Sequence, residues 1–264
     1  MLKDKLIPNW SGLHSRFVIP AIRLFSAESR DAVKRVVIAA IICLGTLGVA
    51  SQQAAAQAYV QGNSATPETP QTAVTVTYTG AQTAGDLNLV VVGWNDTTAT
   101  ISSVTDSKNN SYSLAVGPTS IAAANGGPLT QSIYYAKNIA AATAGANVVT
   151  VKFTTAAVDP DIRVLEYSGL NPTTPLDVAK GGSGNSATSS SGSVTTTNAK
   201  DLLVGGNTVE TSTNGPGAGF TLRLNTPDGD IAEDRGVTAT GSYSATAPLS
   251  AAGGWVMQMV ALHP

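Results

Sequence analysis

An all-β fold, arranged as a two-sheet antiparallel β-sandwich, is what this chain of 264 residues predicts. Three observations carry that expectation. Thr, Ser, Ala, Gly and Val dominate while Lys, Glu and Leu are scarce, which favours strands over helices. Apolar or alternating runs of strand length recur along most of the chain, each bounded by Gly, Asn, Asp or Pro. Hydrophobic residues make up 42% of the sequence, enough to build a core.

The first segment departs from this pattern. Val36 to Ala50, "VVIAAIICLGTLGVA", is an uncharged apolar run of signal-peptide length, shorter than the roughly 20 residues of a membrane span. Lys3, Lys5, Arg16, Arg23, Arg30, Lys34 and Arg35 outnumber Asp4, Glu28 and Asp31 ahead of it, and Ala56-Gln57-Ala58 offers an A-x-A cleavage site. Residues 1–58 therefore read as an export signal with a long n-region, the exported chain starting at Tyr59. Retention of the segment as a membrane anchor helix is the alternative. Cys43 sits inside the apolar run as filler, since bulky Ile42 spoils a lipoprotein box. Localisation is accordingly expected to be secreted or cell-surface and, with no cysteine left for disulfides, bacterial. The leader takes 7 of 15 basic and 3 of 17 acidic residues with it, so 8 basic face 14 acidic residues in the remainder. No nucleic-acid track is expected on such a surface.

Residues 59–71, "YVQGNSATPETPQ", are polar with two prolines and read as a linker or extended arm ahead of a sandwich domain over 72–264. "TAVTVTYTG" alternates, whereas "GDLNLVVVGW" is continuously apolar, as a strand buried on both faces must be. "ISSV" and "SYSLAV" flank a turn in which Asp106 caps the reversal and Asn109 takes positive φ. "QSIYYAKNI", "ANVVTVKF" and "DIRVLEYSGL" follow as strands. Lys180 to Ser193, "KGGSGNSATSSSGS", holds too little apolar content to pack and reads as a linker or surface loop. Strands resume in "SVTTT", "KDLLVGG", "GFTLRLN", "GDIAEDRGV", "GSYSATA" and "WVMQMVAL", for roughly 12 in all.

Two pseudo-repeated halves, about 72–179 and 194–264, emerge from these runs. "DLNLVVVG" matches "DLLVGG", "YSLAVG" matches "FTLRLN", "SIYYAKNI" matches "DIAEDRGV", and "RVLEYSGL" matches "VMQMVAL", in one order. The succession "DLNLVVVGW", "ISSVTDSKNNSYSL", "SIYYAKNI", "NVVTVKF", "LEYSGLNPTTPLDV", "DLLVGG" and "WVMQMVAL" resembles a repetitive jelly-roll-like β-sandwich domain of secreted and surface bacterial proteins. The resemblance covers nearly all of Thr72 to His263, and it implies a fold without an established activity.

Most catalytic chemistries lack their residues. After the leader the chain has one histidine, His263, and no cysteine, so Ser-His-Asp, Cys-His and His-rich zinc arrangements cannot form. No phosphate-binding G-x-x-x-x-G-K-[ST] loop occurs. A carboxylate pair remains, with Glu166 and either Glu233 or Asp234 as candidates, although Glu166 on the face of Ile162 and Val164 suits a buried pairing with a basic group better. The cluster "NTPDGDIAEDRGV" places Ile231, Glu233, Arg235 and Val237 on one strand face, with Glu233 in the position of Tyr135 and paired to Arg235. Asp228, Asp230 and Asp234 are left as a calcium candidate around Gly229, without the full EF-hand spacing. Trp94, Trp255 and Tyr135 are the aromatics able to stack on a sugar.

The leading expectation is a secreted, non-enzymatic binding or adhesion module, carbohydrate-binding among its options, with an extracellular polysaccharide or surface protein as partner. The membrane would be touched only through an uncleaved N-terminus. A structural spacer of a cell-surface assembly and a glycan-active enzyme with paired carboxylates are the alternatives.

Overall fold

The computed structural model describes residues 56–122 and 127–264; the segment expected to be an export signal, with Cys43, or else an anchor helix lies almost wholly outside them. The first half contains β1 (Ala58–Ala65), β2 (Gln71–Tyr78), β3 (Leu87–Trp94), β4 (Ile101–Asp106), β5 (Ser113–Ile121), β6 (Leu129–Ala136), β7 (Asn147–Ala157) and β8 (Asp161–Ser168). The second contains β9 (Leu176–Ser190), β10 (Val194–Thr195), β11 (Asp201–Val209), β12 (Thr221–Asn225), β13 (Ile231–Val237), β14 (Ser242–Tyr243) and β15 (Thr246–Leu262). The described residues are all-β, and their strand pairings are antiparallel.

The expected pair of sheets is instead a stack of four. A five-stranded sheet of order β1-β8-β3-β6-β5 packs on one face against the three-stranded sheet β2-β7-β4. Its other face packs against a second five-stranded sheet, β12-β13-β11-β15-β9, whose far side is covered by the small β10-β14 ribbon and the chain around Ala245 to Leu249. The two large sheets have the same order once β3 is set on β11 and β8 on β15. Two central layers require strands that are apolar on both faces, and β3 meets that condition: Val90, Val92 and Trp94 enter the outer core while Leu87, Leu89 and Val91 enter the core between the large sheets. In β11, Leu203 and the pair Leu202 and Val204 divide in the same way.

Two segments expected as unpaired chain are strands. Within 59–71, the stretch up to Ala65 belongs to β1, an edge strand whose backbone pairs with β8 from Ala58↔Ser168 to Ala65↔Ile162. Its polar side chains misled because an edge strand is held by its ladder and buries little. Most of the Gly/Ser-rich stretch belongs to β9, paired along its length with β15. Its glycines serve close approach: a Cβ at Gly184 would lie 2.6 Å from the Trp255 ring, and one at Gly182 would lie 2.5 Å from the Ser190 carbonyl.

The turn after β4 forms as expected. Asp106 Oδ1 accepts from the amides of Lys108 and Asn110, 3.0 Å each, and Asn109 has φ 60°. The correspondence between halves, by contrast, runs one residue off the expected register. With Leu87 set on Leu202, Tyr135 of β6 corresponds to Asp234 of β13, not to Glu233, because β6 and β13 pair with β3 and β11 in that offset. A slip of one residue exchanges faces, so it is Asp234, not Glu233, that shares with Tyr135 the layer between the large sheets.

Candidate functional site

The stretch Asn225–Val237 sends its charged groups to three places. At one end of the layer between the large sheets, the β12–β13 turn carries Asp228 and Asp230 beside the β7–β8 turn and the start of β8. Arg163 of β8 is fully buried there: its Nε lies 2.8 Å from Asp161 Oδ1, its Nη1 donates to the carbonyls of Asn207 and Ile231 at 2.6 Å each, and its Nη2 stands 4.0 Å from Asp230 Oδ2. Asp230 Oδ1 also accepts the Val209 amide at 2.8 Å. Burial raises the pKa of both Asp161 and Asp230, with Arg163 opposing it.

Next to this triad opens an acidic cleft of about 570 Å³, lined by Glu68, Asp159, Glu210, Asp228 and Asp230. Asp228 is pushed up to about 7, first by burial, then by its hydrogen bond to Glu68 and the charge of Asp161. Glu210 is committed to the backbone, accepting from Gly127 at 2.7 Å and Gly254 at 2.8 Å.

Glu233 points the other way, into the outer core of the second half. It is fully buried, accepts the Gly217 amide at 2.7 Å, and is raised to about 7 by burial. The expected ion pair with Arg235 does not form; that guanidinium lies over the Tyr243 ring at 5.7 Å.

Asp234 returns to the layer between the large sheets, but far along β13 from Asp230, where Arg223 Nε meets its Oδ2 at 2.8 Å. The same Arg223 lies 4.6 Å over the ring of Tyr59. Around them opens a second hollow of about 470 Å³, with Gln57, Tyr59, Gly219, Thr221, Arg223, Asp234, Arg235 and Gly236 among its walls, at the seam where β1 faces β12. Asp228, Asp230 and Asp234 therefore do not converge, and among the described residues no group of three or more His, Cys, Asp or Glu side chains is placed to hold a metal ion.

Glu166, expected to be partly buried beside a basic group, is fully buried, with an acid and an amide as its neighbours. Its Oε2 accepts from Gln61 at 2.6 Å, and its contact with Asp86 helps burial push that acid up to about 6. An acid precedes the central strand of the second half too: Asp201 is raised to about 6 by burial and by a hydrogen bond with Asp177. Glu68 with Asp228, Asp86 with Glu166, and Asp177 with Asp201 are thus neighbouring carboxyls, in each of which one acid adds to the rise that burial imposes on Asp228, Asp86 or Asp201.

The aromatic candidates are core residues. Trp94, 1% exposed, packs edge-on to Phe153 with ring centres 5.6 Å apart. Trp255 is buried against β9 and donates from Nε1 to Ser186 at 3.0 Å. Tyr135 is half-buried against the core between the large sheets. Both tryptophans stand where a large sheet meets its outer layer, a covering that their own strands do not announce.

Sequence reasoning passed over Glu68, Asp161, Glu210 and Arg223. The scarcity of arginine was the available signal for the last: only Arg163, Arg223 and Arg235 follow the leader, and two of these line one hollow. Comparison with protein-family models, with curated proteins and with solved structures found no match.

Proposed function

We propose that the chain is a secreted, non-enzymatic binding module built from two jelly rolls set back to back, with an extracellular polysaccharide as the partner. Strand order supports the jelly-roll reading: β1-β8-β3-β6 against β2-β7-β4 in the first half is echoed by β9-β15-β11-β13 in the second. The side-by-side placement of these acids, which raises Asp86, Asp201 and Asp228, is the observation that carries the non-enzymatic reading, since a glycosidase needs two acids set apart across the sugar. Export through the N-terminal segment supplies the extracellular setting. With both tryptophans in cores, recognition falls to polar groups at the mouths of the layer between the sheets.

Retention of the purified full chain on a panel of insoluble neutral and acidic polysaccharides, with reducing ends assayed in the same tubes, tests this. Retention without release of reducing ends is expected. Release of reducing ends that vanishes in Asp228→Asn would make it an enzyme, and retention on nothing would leave a structural spacer.

A further inference from the structure

We infer that the hollow between β1 and β12 is a binding site for the anionic groups of an acidic polysaccharide, recognised by Arg235 and Arg223; this rests on the polysaccharide-binding reading above. The residues that follow the leader carry an acidic excess and only three arginines. One, Arg163, is locked inside the protein, and the remaining two line this single hollow. Against them stands one carboxylate, Asp234, engaged by the Nε edge of Arg223. The hollow is therefore a local cationic spot on an anionic protein.

The two guanidinium groups are held ready in different ways. Arg223 is fixed between the Asp234 carboxylate and the Tyr59 ring, with its side chain 28% exposed. Arg235 has no carboxylate partner among the described residues; the Tyr243 face supports it, and its fork of donors is free for a planar anion. Gly219, at φ 81°, passes so close that a Cβ there would lie 3.3 Å from Arg235 Cζ, so the glycine gives the guanidinium its room.

The shape selects a polymer over a peptide. Most of the walls are polar or glycine, with Ala58, Leu202 and the Tyr59 ring, already covered by Arg223, as the apolar members. A further hollow of about 410 Å³ shares Gly236 with the first and adds Lys200, extending the cationic track along the surface. Repeated anions on one strand of sugar fit a track of Arg223, Arg235 and Lys200. Cleavage at Ala58 would remove Gln57 and Ala58 from the walls, leave the arginines and Gly236 in place, and add the α-amino group of Tyr59 to the same rim.

The test titrates the full chain with three hexasaccharides, one of uronic acid, one sulfated and one neutral, following affinity by calorimetry and position by amide NMR shifts. The uronate or the sulfated oligomer is expected to bind at least about tenfold tighter than the neutral one, since each charge-assisted hydrogen bond is worth about that factor. Shifts should centre on Tyr59, Gly219 and Gly236. Arg235→Gln should weaken the charged oligomer about tenfold with Tm unchanged, Arg235→Lys should lose less, and Lys152→Gln on the outer sheet should change nothing. Comparing the two charged arms tells carboxylate from sulfate. Equal affinity for neutral and charged oligomers, or charged binding that survives Arg235→Gln, overturns the inference while the binding module stands. Failure to retain any polysaccharide in the panel above overturns the module reading itself.

Discussion

The layer between the two large sheets has a charged group of residues at each of two openings, and the stretch Asn225–Val237 contributes to both. At the turn end, Arg163, Asp161 and Asp230 are sealed, so their charges hold one another and the backbone. At the β1–β12 seam, Arg223 and Arg235 keep access to solvent and have one carboxylate between them. The first group is part of the structure's integrity and the second is free to serve a ligand. Burial, not residue type, separates them: a desolvated charge must be matched where it stands, whereas a solvated one can stay unmatched at little cost.

The largest expected effect comes from breaking the sealed group. Arg163→Met removes the guanidinium that holds two carboxyls and two carbonyls and should cost about 3–5 kcal/mol in denaturant unfolding, whereas Arg235→Gln at the open seam should stay within about 0.5 kcal/mol. If the two variants proved equally stable, the contrast between the openings would be lost.

Acidity provides the next effect. Asp86 and Asp201 are raised to about 6, and Asp228 and Glu233 to about 7. A carboxyl whose folded pKa lies above its unfolded value contributes stability that is complete below about pH 4 and is lost as pH rises through the folded value. Thermal stability should therefore climb as pH falls from 8 to 5, by about 5–10 °C in Tm. Asp228→Asn should flatten the part of this profile around pH 7, and a Tm that falls between pH 8 and 5 would contradict the raised carboxyls.

A smaller effect probes the seam. Asp234→Asn frees Arg223 from its ion pair and should lower stability by about 1–2 kcal/mol while tightening binding of an acidic hexasaccharide. Loss of that binding would mean that Asp234 orients Arg223 for the ligand instead of competing with it. The smallest effect concerns calcium at the cleft. Melting with millimolar calcium against excess chelator should differ by less than about 1 °C, because Asp228 is engaged with Glu68 and Asp234 stands elsewhere; a shift of several degrees would place a cation on the folded state.

How much was legible depended on whether a residue's role was set by its neighbours in sequence. The run "DLNLVVVG" announced a strand apolar on both faces, and Asp106 with Asn109 announced a turn, because both are local patterns. The Gly/Ser-rich strand β9 was not legible, since the Trp255 ring that Gly184 accommodates comes from β15, some 70 residues on. Nor was the burial of Trp94 and Trp255, which depends on outer layers contributed by other strands. For the acids of Asn225–Val237, alternation gave the two faces correctly but not what lay against each, and a one-residue error in matching the halves placed Glu233 at a surface it does not reach.

The amino-acid sequence by itself determined the all-β character, and it left one histidine and no cysteine after residue 58, because composition and period-two patterning act over a few residues. Tertiary structure alone decided which acids lie beside one another, which arginine is sealed and which two stay open. A charge's partner and its access to water are set by chain segments far away in sequence, as Arg163 and Asp230 meet only when two sheets stack.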